Sequence, residues 1–377
     1  MRPQSLFRFA LIALLGLPLG AQTVTRTNLF VESTGTLDSS GGMPDIATAG
    51  YVAGRFAPFP SVNLNMGLLF GTVDTLRFFH ADDAVRTYGI VAFDGASIVF
   101  PRLLGGPLTW IAFTGNYDAP QSNRLMKEAF KRGIEYPRFG SRLLGLALAG
   151  EAGISGTGLG VWGVPDNGPL AVALYSHWNA KPWKEAVQRN DAQLAFVSEP
   201  VRLNAFLGTL VALDSADFKM RGDLSASLGD PEANEFYVQM GMLDATPLTN
   251  VTEKVYMLFE PRLHRDRALF AISFFSVPIS DFAPDGSATY QGTYIGANAL
   301  VAFGSTEKDR ARIGVAASGA MDPKNPGVTT PLSFSLNPFC EFALSDYVLE
   351  SSLSINPFRL DDPATAGEFR VSLKAVY

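Results

Sequence analysis

The residues best suited to chemistry in this sequence are cations gathered in two long polar stretches. Residues 118–140 carry the first basic set, which consists of Lys127, Lys131, Arg132 and Arg138. Residues 179–191 carry the second, which consists of Lys181, Lys184 and Arg189. Ammonium and guanidinium groups attract anions and raise their local concentration. What these groups can do depends on the elements that position them.

Groups suited to catalysis or metal binding are sparse. The three histidines, His80, His177 and His264, form no pair at the spacing of a zinc site. Ser176 and His177 are adjacent, so on a strand they face opposite sides and cannot form a same-face dyad. Cys340 is the single cysteine, which rules out an intramolecular disulfide. We therefore expect no enzymatic activity, no metal site and no cofactor.

The composition favours strands over helices and over disorder. The chain of 377 residues is 47% hydrophobic and only 18% charged, and it contains 28 Phe, 11 Tyr and 36 Gly. Its net charge of -6 comes with no dominant basic stripe, so we expect no nucleic-acid partner. No apolar run beyond the N-terminal region is long enough for a transmembrane helix.

The N-terminus has the pattern of a secretory signal. Arg2 and Arg8 supply positive charge, residues 9–19 are apolar, and small residues follow. We interpret residues 1–21 as a cleaved signal peptide and residues 22–377 as a single domain. Export is therefore expected.

Most of the remaining chain alternates with a period of two, which predicts β-strands. The clearest case is residues 218–228, where Lys219, Arg221 and Asp223 share one face and apolar residues share the other. About 19 such segments can be counted, and a closed barrel with an even strand number predicts about 18 strands, with 16 as the alternative. The surplus segment is expected within residues 89–164. A soluble β-sandwich also alternates and is the alternative fold.

The C-terminal segment, Glu368 to Tyr377, places apolar side chains on one face and charged side chains on the other. The apolar set is Phe369, Val371, Leu373, Ala375 and Tyr377. This ending resembles the terminal strand of bacterial outer-membrane β-barrels, which typically closes on an aromatic residue. The resemblance implies a porin-like, all-antiparallel up-and-down barrel in the outer membrane of a Gram-negative-type bacterium. It also implies contact with outer-membrane lipid and with the barrel-assembly machinery, which would use Phe369, Val371, Leu373 and Tyr377 as its signal.

The same resemblance gives the basic residues a role. In porins a long loop folds into the lumen and sets the constriction, and residues 123–132 have helical spacing. If this loop folds inward, Lys127, Lys131, Arg132 and Arg138 would favour anionic solutes, with Lys219, Arg221 and Asp223 as a mixed-sign set on the wall. The interpretation favoured for this long polar link is the other one, a loop splayed into solvent on the outside.

The favoured function is passive diffusion of small hydrophilic solutes across the outer membrane, with a weak anion preference. Three alternatives stay open: a non-conducting surface adhesin or structural barrel, a transporter of hydrophobic ligands, and a soluble surface protein. Porins of this size often form trimers, so the resemblance also admits a homotrimer. His177, next to Trp178, is interpreted as part of an interfacial aromatic girdle.

Overall fold

The computed structural model describes most of the chain, in fifteen segments. These are residues 24–36, 45–59, 61–72, 89–118, 122–140, 153–165, 168–178, 187–212, 217–231, 233–246, 254–278, 293–307, 309–324, 334–360 and 366–375. The described residues do not include the predicted signal peptide, His80, the cations Lys181 and Lys184, or Tyr377. They also leave out residues 143–151, whose sequence predicts a strand.

Eighteen strands and one short α-helix make up the described fold. The strands are β1 (Val24–Thr36), β2 (Asp45–Phe59), β3 (Val62–Thr72), β4 (Gly89–Phe100), β5 (Leu108–Asp118), β6 (Ile154–Gly163), β7 (Leu170–Trp178), β8 (Val187–Ser198), β9 (Val201–Ala212), β10 (Phe218–Gly229), β11 (Asn234–Ala245), β12 (Val255–Arg265), β13 (Ala268–Pro278), β14 (Thr293–Ser305), β15 (Ala311–Met321), β16 (Ser335–Leu344), β17 (Tyr347–Ile355) and β18 (Gly367–Ala375). Helix α1 (Arg124–Phe130) lies between β5 and β6.

The strands close into one antiparallel barrel. Each strand pairs with its neighbour in the chain, and β18 pairs with β1 to complete the cylinder. The predicted all-β fold with about 18 strands is therefore confirmed, because a closed single sheet excludes a two-layered sandwich. A sandwich would bury apolar strand residues such as Phe218 of β10 and Leu353 of β17 between its two layers. Here they are 41% and 42% exposed, so they do not pack together in a dry interior.

The two faces of the sheet differ in the way that the alternation predicts. In β12 the inner side chains are buried, while Met257, Phe259 and Leu263 point outward and are exposed. The buried set includes Glu260 and Arg262, so the interior contains charge and the exterior is apolar. A barrel that borders hydrocarbon has this arrangement, with polar groups on its inner face and apolar side chains on its outer face.

The connections are short at one end of the barrel and mostly long at the other. Glu199-Pro200 and Asp266-Arg267 are two-residue turns at what we call the short-turn end, where the described N- and C-terminal strand ends also lie. The other end is called the long-link end. The link between β9 and β10 is a shorter exception there.

One local prediction needs correction, and a second concerns the surplus segment. Proline is favoured in the first turn of a helix, so Pro182 predicts a short helix that runs through Arg189. In the structure, Arg189 lies in β8, which starts at Val187. The strand register explains this, because Arg189 pairs with His177 on the inner face. The surplus segment was expected within residues 89–164, and there β5 pairs directly with β6.

Candidate functional site: the barrel interior

The interior of the barrel is entered by part of the link between β5 and β6, residues 122–140, which we call the inserted segment. It starts beside Asp118 at the long-link end and continues as α1. Its residues then contact wall strands far away in the sequence, from β8 and β9 to β16 and β17. A segment with contacts to both sides of the cylinder must lie within it.

Helix α1 packs its apolar side against the wall. Leu125 and Met126 are 2% and 0% exposed, and Ala129 and Phe130 pack against the same cluster. This is the side that helical spacing predicted as apolar. The guanidinium of Arg124 lies 3.8 Å over the ring of Tyr117, donates to the carbonyl of Tyr117, and pairs with Glu128. Burial of this side fixes the helix against β5, β7 and β8.

The segment reaches the short-turn end after α1. Arg202, next to the β8–β9 turn, donates from Nη1 to the carbonyl of Gly133 at 3.1 Å. Arg132 lies 4.0 Å from Glu199 within that turn. The chain has therefore crossed the barrel from one end to the other.

Arg138 then ties the segment to the opposite wall. Its Nη2 donates to Glu341 Oε1, and its Nη1 lies 3.0 Å from Glu350 Oε1. The guanidinium also lies 3.8 Å over the ring of Phe339, and the Arg138 carbonyl accepts from Asn298 Nδ2 at 3.0 Å. Paired guanidinium–carboxylate contacts in a mostly buried setting hold geometry well. Arg138 is thus an anchor.

Contacts at Gly140 and at Glu135 complete the attachment. Gly140, back near the long-link end, accepts at its carbonyl from Ser335 Oγ at 2.8 Å and Ser354 Oγ at 3.1 Å. At the opposite end, Arg312 pairs with Glu341 at 2.7 Å and with Glu135 of the inserted segment at 3.2 Å. The inserted segment is therefore held at both ends of its return path.

A second buried polar network lies in the wall itself. His177 Nε2 is 2.7 Å from Asp191 Oδ2, which also accepts from Arg221 Nη2 at 2.9 Å. His177 is fully buried inside the barrel, so its interpretation as an interfacial girdle residue is wrong. The inward position follows from the register, because the carboxylate of Asp191 faces the same interior.

The two sides of the interior differ in how full they are. The inner faces of β5–β17 form the filled wall, where large side chains such as Tyr237, Tyr256 and Phe275 are almost fully buried. The inner faces of β18 and β1–β3 form the open wall. On β1–β3, Gly67 is the one fully buried inner residue whose burial the structure describes. Solvent-accessible space inside the barrel therefore lies against the open wall.

The predicted constriction cations are split by the structure. Lys127, Lys131 and Arg132 are exposed, whereas Arg138 is mostly buried in its ion pairs. Although Lys127 faces solvent, the protein around it lowers the pKa of its ammonium group by desolvation, against the opposing charge of Asp118. The segment itself lies in the lumen, where it contacts inward-facing wall residues, so the favoured interpretation of a loop splayed outside is wrong.

The predicted wall set is inward, as alternation required. Lys219 is half-buried, Arg221 is paired with Asp191, and Asp223 accepts from Gln239 Nε2 at 2.8 Å and Tyr256 OH at 2.6 Å. Arg221 and Asp223 are 3% and 6% exposed, so both are sequestered in the filled wall.

Sequence reasoning missed the wall partners of the inserted segment. Glu341 and Glu350 lie opposite each other on β16 and β17, and Arg312 lies opposite Glu341 on β15. The signal was present, since each is a charged residue at an inward position of an alternating strand. The pairing of Glu341 and Glu350 with Arg138, about two hundred residues away, could not be predicted from spacing.

The terminal strand keeps its predicted faces. Glu32, which contacts Arg370, lies inside, so Phe369, Val371 and Leu373 point outward. Val371 is 39% exposed on this outer surface.

Across the ranges given above, no helix combines the length and hydropathy of a membrane span. The same ranges contain no group of three or more His, Cys, Asp or Glu residues placed to hold a metal ion.

Comparison with solved structures places the fold among porins. No protein-family model matches the chain, and no curated protein matches it. OccAB3 of Acinetobacter baumannii superposes with a TM-score of 0.53 and 11% identity, covering 93% of this chain and 98% of that one. OccAB4 of the same organism gives 0.51 and 9%, covering 93% and 97%. A Rhodopseudomonas blastica porin triple mutant gives 0.47 and 10%, covering 93% and 99%. The closed 18-stranded sheet and the OccAB3 and OccAB4 superpositions confirm the predicted porin-like barrel at the level of fold.

Proposed function

We propose that this protein is an outer-membrane channel for passive diffusion of small hydrophilic solutes. The observation that carries the proposal is the unequal interior, in which the inserted segment packs on the filled wall and the open wall stays accessible to solvent. An 18-stranded barrel is wide enough to keep a passage beside such a segment. The porin-like fold supports the same function.

The charge of the inserted segment supports a weak anion preference. Lys127, Lys131 and Arg132 remain exposed inside the barrel or at its short-turn end. Exposed cations on a narrow aqueous path raise the local concentration of anions. Acidic groups on the wall oppose the effect, so the preference we propose is small.

A reconstituted bilayer tests the channel function. The folded barrel is expected to insert into planar bilayers and give conductance steps of a uniform size, with a reversal potential in a salt gradient that favours anions slightly. A folded barrel that gives no steps would contradict the proposal and favour a structural barrel or an adhesin. Folding is checked by gel mobility before and after heating.

Localisation and assembly are part of the proposal. We place the barrel in the outer membrane of a diderm bacterium, in contact with lipid and delivered by the barrel-assembly machinery through Phe369, Val371, Leu373 and Tyr377. Deleting Tyr377 should lower the amount of folded protein in outer-membrane fractions. It should leave the thermal stability of the folded fraction nearly unchanged, because one terminal residue contributes little to an 18-stranded sheet. A homotrimer is the assembly that we would test for by crosslinking.

A further inference from the structure

A row of apolar side chains crosses the open wall. Phe30 on β1 lies directly opposite Tyr51 on β2, which lies directly opposite Leu69 on β3. We call Phe30, Tyr51 and Leu69 the apolar row. Phe30 is also opposite Lys374 of β18, which bonds Glu350 inside the barrel, so the row faces the lumen. The rings of Phe30 and Tyr51 stack at 5.9 Å with 28° between their planes.

The apolar row is partly exposed, whereas large apolar side chains on the filled wall are buried. Leu69 is 38% exposed, and Phe30 and Tyr51 are only half-buried. Small inner residues next to the row, including Ala49 and Gly71, leave its surface accessible. Apolar surface facing water lowers its free energy when a solute covers it, so an exposed patch of this kind marks a contact site.

Charges of both signs border the row. Lys374 Nζ lies 6.0 Å from the Phe30 ring centroid and 2.9 Å from Glu350 Oε2. Arg370 lies four positions before Lys374 on the same inner face of β18, and its Nε is 3.6 Å from Glu32 Oε2. Cations and carboxylates thus alternate beside the rings. Such an edge is complementary to a solute that carries one group of each sign.

A buried hydroxyl lies between these charges. Ser372 is opposite Glu32 on one side and Glu350 on the other, and it is 1% exposed. Its Oγ makes no hydrogen bond with any residue in the described part of the chain. A buried polar group without a partner is costly, so this hydroxyl would gain a hydrogen bond if a bound solute rearranged the charged side chains beside it.

We propose that the open wall binds zwitterionic solutes that carry an aromatic ring. The ring lies against Phe30 and Tyr51, the solute ammonium group faces Glu32, and its carboxylate faces Lys374 or Arg370. This inference rests on the proposed channel function and names the class of solute that the passage favours.

The test uses L-phenylalanine and L-alanine, which share their charges and differ by the ring. Equilibrium dialysis against the folded, full-length barrel in detergent micelles measures binding without requiring conductance. Phenylalanine is expected to bind at least about tenfold more tightly than alanine, since two ring contacts are available. Cyclohexylalanine, which lacks the flat π-face, is expected to bind less tightly than phenylalanine.

Matched variants locate the site. The double variant Phe30→Ala and Tyr51→Ala is expected to weaken phenylalanine binding about tenfold. Tyr51→Phe keeps the ring and should bind like the wild type. Phe93→Ala removes an outward-facing ring that is 52% exposed, so it should change nothing. Each variant is first shown to fold by heat-dependent gel mobility.

The outcomes separate this inference from the channel itself. If phenylalanine and alanine bind equally, or if the double variant binds phenylalanine normally, the inference is overturned even where the barrel conducts. If ring-dependent binding is lost only in the double variant, the inference is supported even where bilayers stay silent. In that second case the proposed channel function alone would fail.

Discussion

The filled wall and the open wall are built from the same kind of strand and yet have opposite consequences. Inner positions of the filled wall carry large side chains such as Tyr237, Tyr256 and Phe275, which pack against one another and against the inserted segment. The corresponding positions of β2 carry Ala47 and Ala49, which are exposed. Alternation makes a barrel, but the volume of the inward side chains decides where its interior is closed.

The charges of the two walls differ in the same sense. Arg262 of the filled wall is 6% exposed and pairs with Glu235 at 2.8 Å and Glu260 at 2.6 Å. On the open wall, the contacts of Arg370 are longer and the Lys374 side chain is 47% exposed. Buried pairs have already lost their water and are fixed. Exposed pairs can exchange partners with a solute at little cost.

Removing the inserted segment should abolish the difference between the walls. Replacing residues 123–139 with a short Gly/Ser linker is expected to raise single-channel conductance several-fold, because the segment crosses the lumen from end to end. Planar-bilayer recording measures this. Unchanged conductance in a correctly folded variant would mean that the segment does not obstruct the passage.

The second-largest effect is expected when the inserted segment loses its main anchor, Arg138. Arg138→Ala leaves Glu341 and Glu350 without one cation and is expected to destabilise the barrel by about 2–3 kcal/mol, less than for a fully buried pair because Arg138 retains some exposure. Urea unfolding in lipid vesicles measures the change. Glu199→Gln is the matched control, since its 4.0 Å pair with Arg132 is exposed and should contribute under about 0.5 kcal/mol.

Apolar truncations on the two walls should have unequal costs. Met126→Ala empties a position on the inserted segment that is 0% exposed, so a loss of about 2–4 kcal/mol is expected. Leu69→Ala on the open wall removes a side chain that is 38% exposed and should cost under about 1 kcal/mol. Equal losses in the same unfolding assay would show that the open wall is packed after all.

The smallest effect should come from the exposed cations. Lys127→Glu combined with Lys131→Glu is expected to move the reversal potential in a salt gradient by a few millivolts toward cation preference. The shift is small because salt screens exposed charges over about 10 Å at 0.1 M. Lys324→Glu, in the link that follows β15, is the control and should leave the potential unchanged. A shift of equal size in that control would remove the special role of the segment.

Much of this architecture is determined locally. Residues 218–228 segregate charge to one face, and the structure places Arg221 and Asp223 inside. The short and long links, the 18 strands and the helix near residue 124 follow from the same kind of pattern. These features were predictable because strand alternation, turns and helical spacing depend on residues close together in the chain.

The path of the long link between β5 and β6 is not determined locally. Its helix was predictable, but its attachment depends on Arg138 meeting Glu341 and Glu350, and on Gly140 meeting Ser335 and Ser354. His177 was misplaced for a related reason, because its partner Asp191 lies on the next strand. The sequence by itself determined the cylinder and its two faces. Only the tertiary structure decided which half of the interior is filled, since that depends on contacts between residues that closure of the barrel brings together.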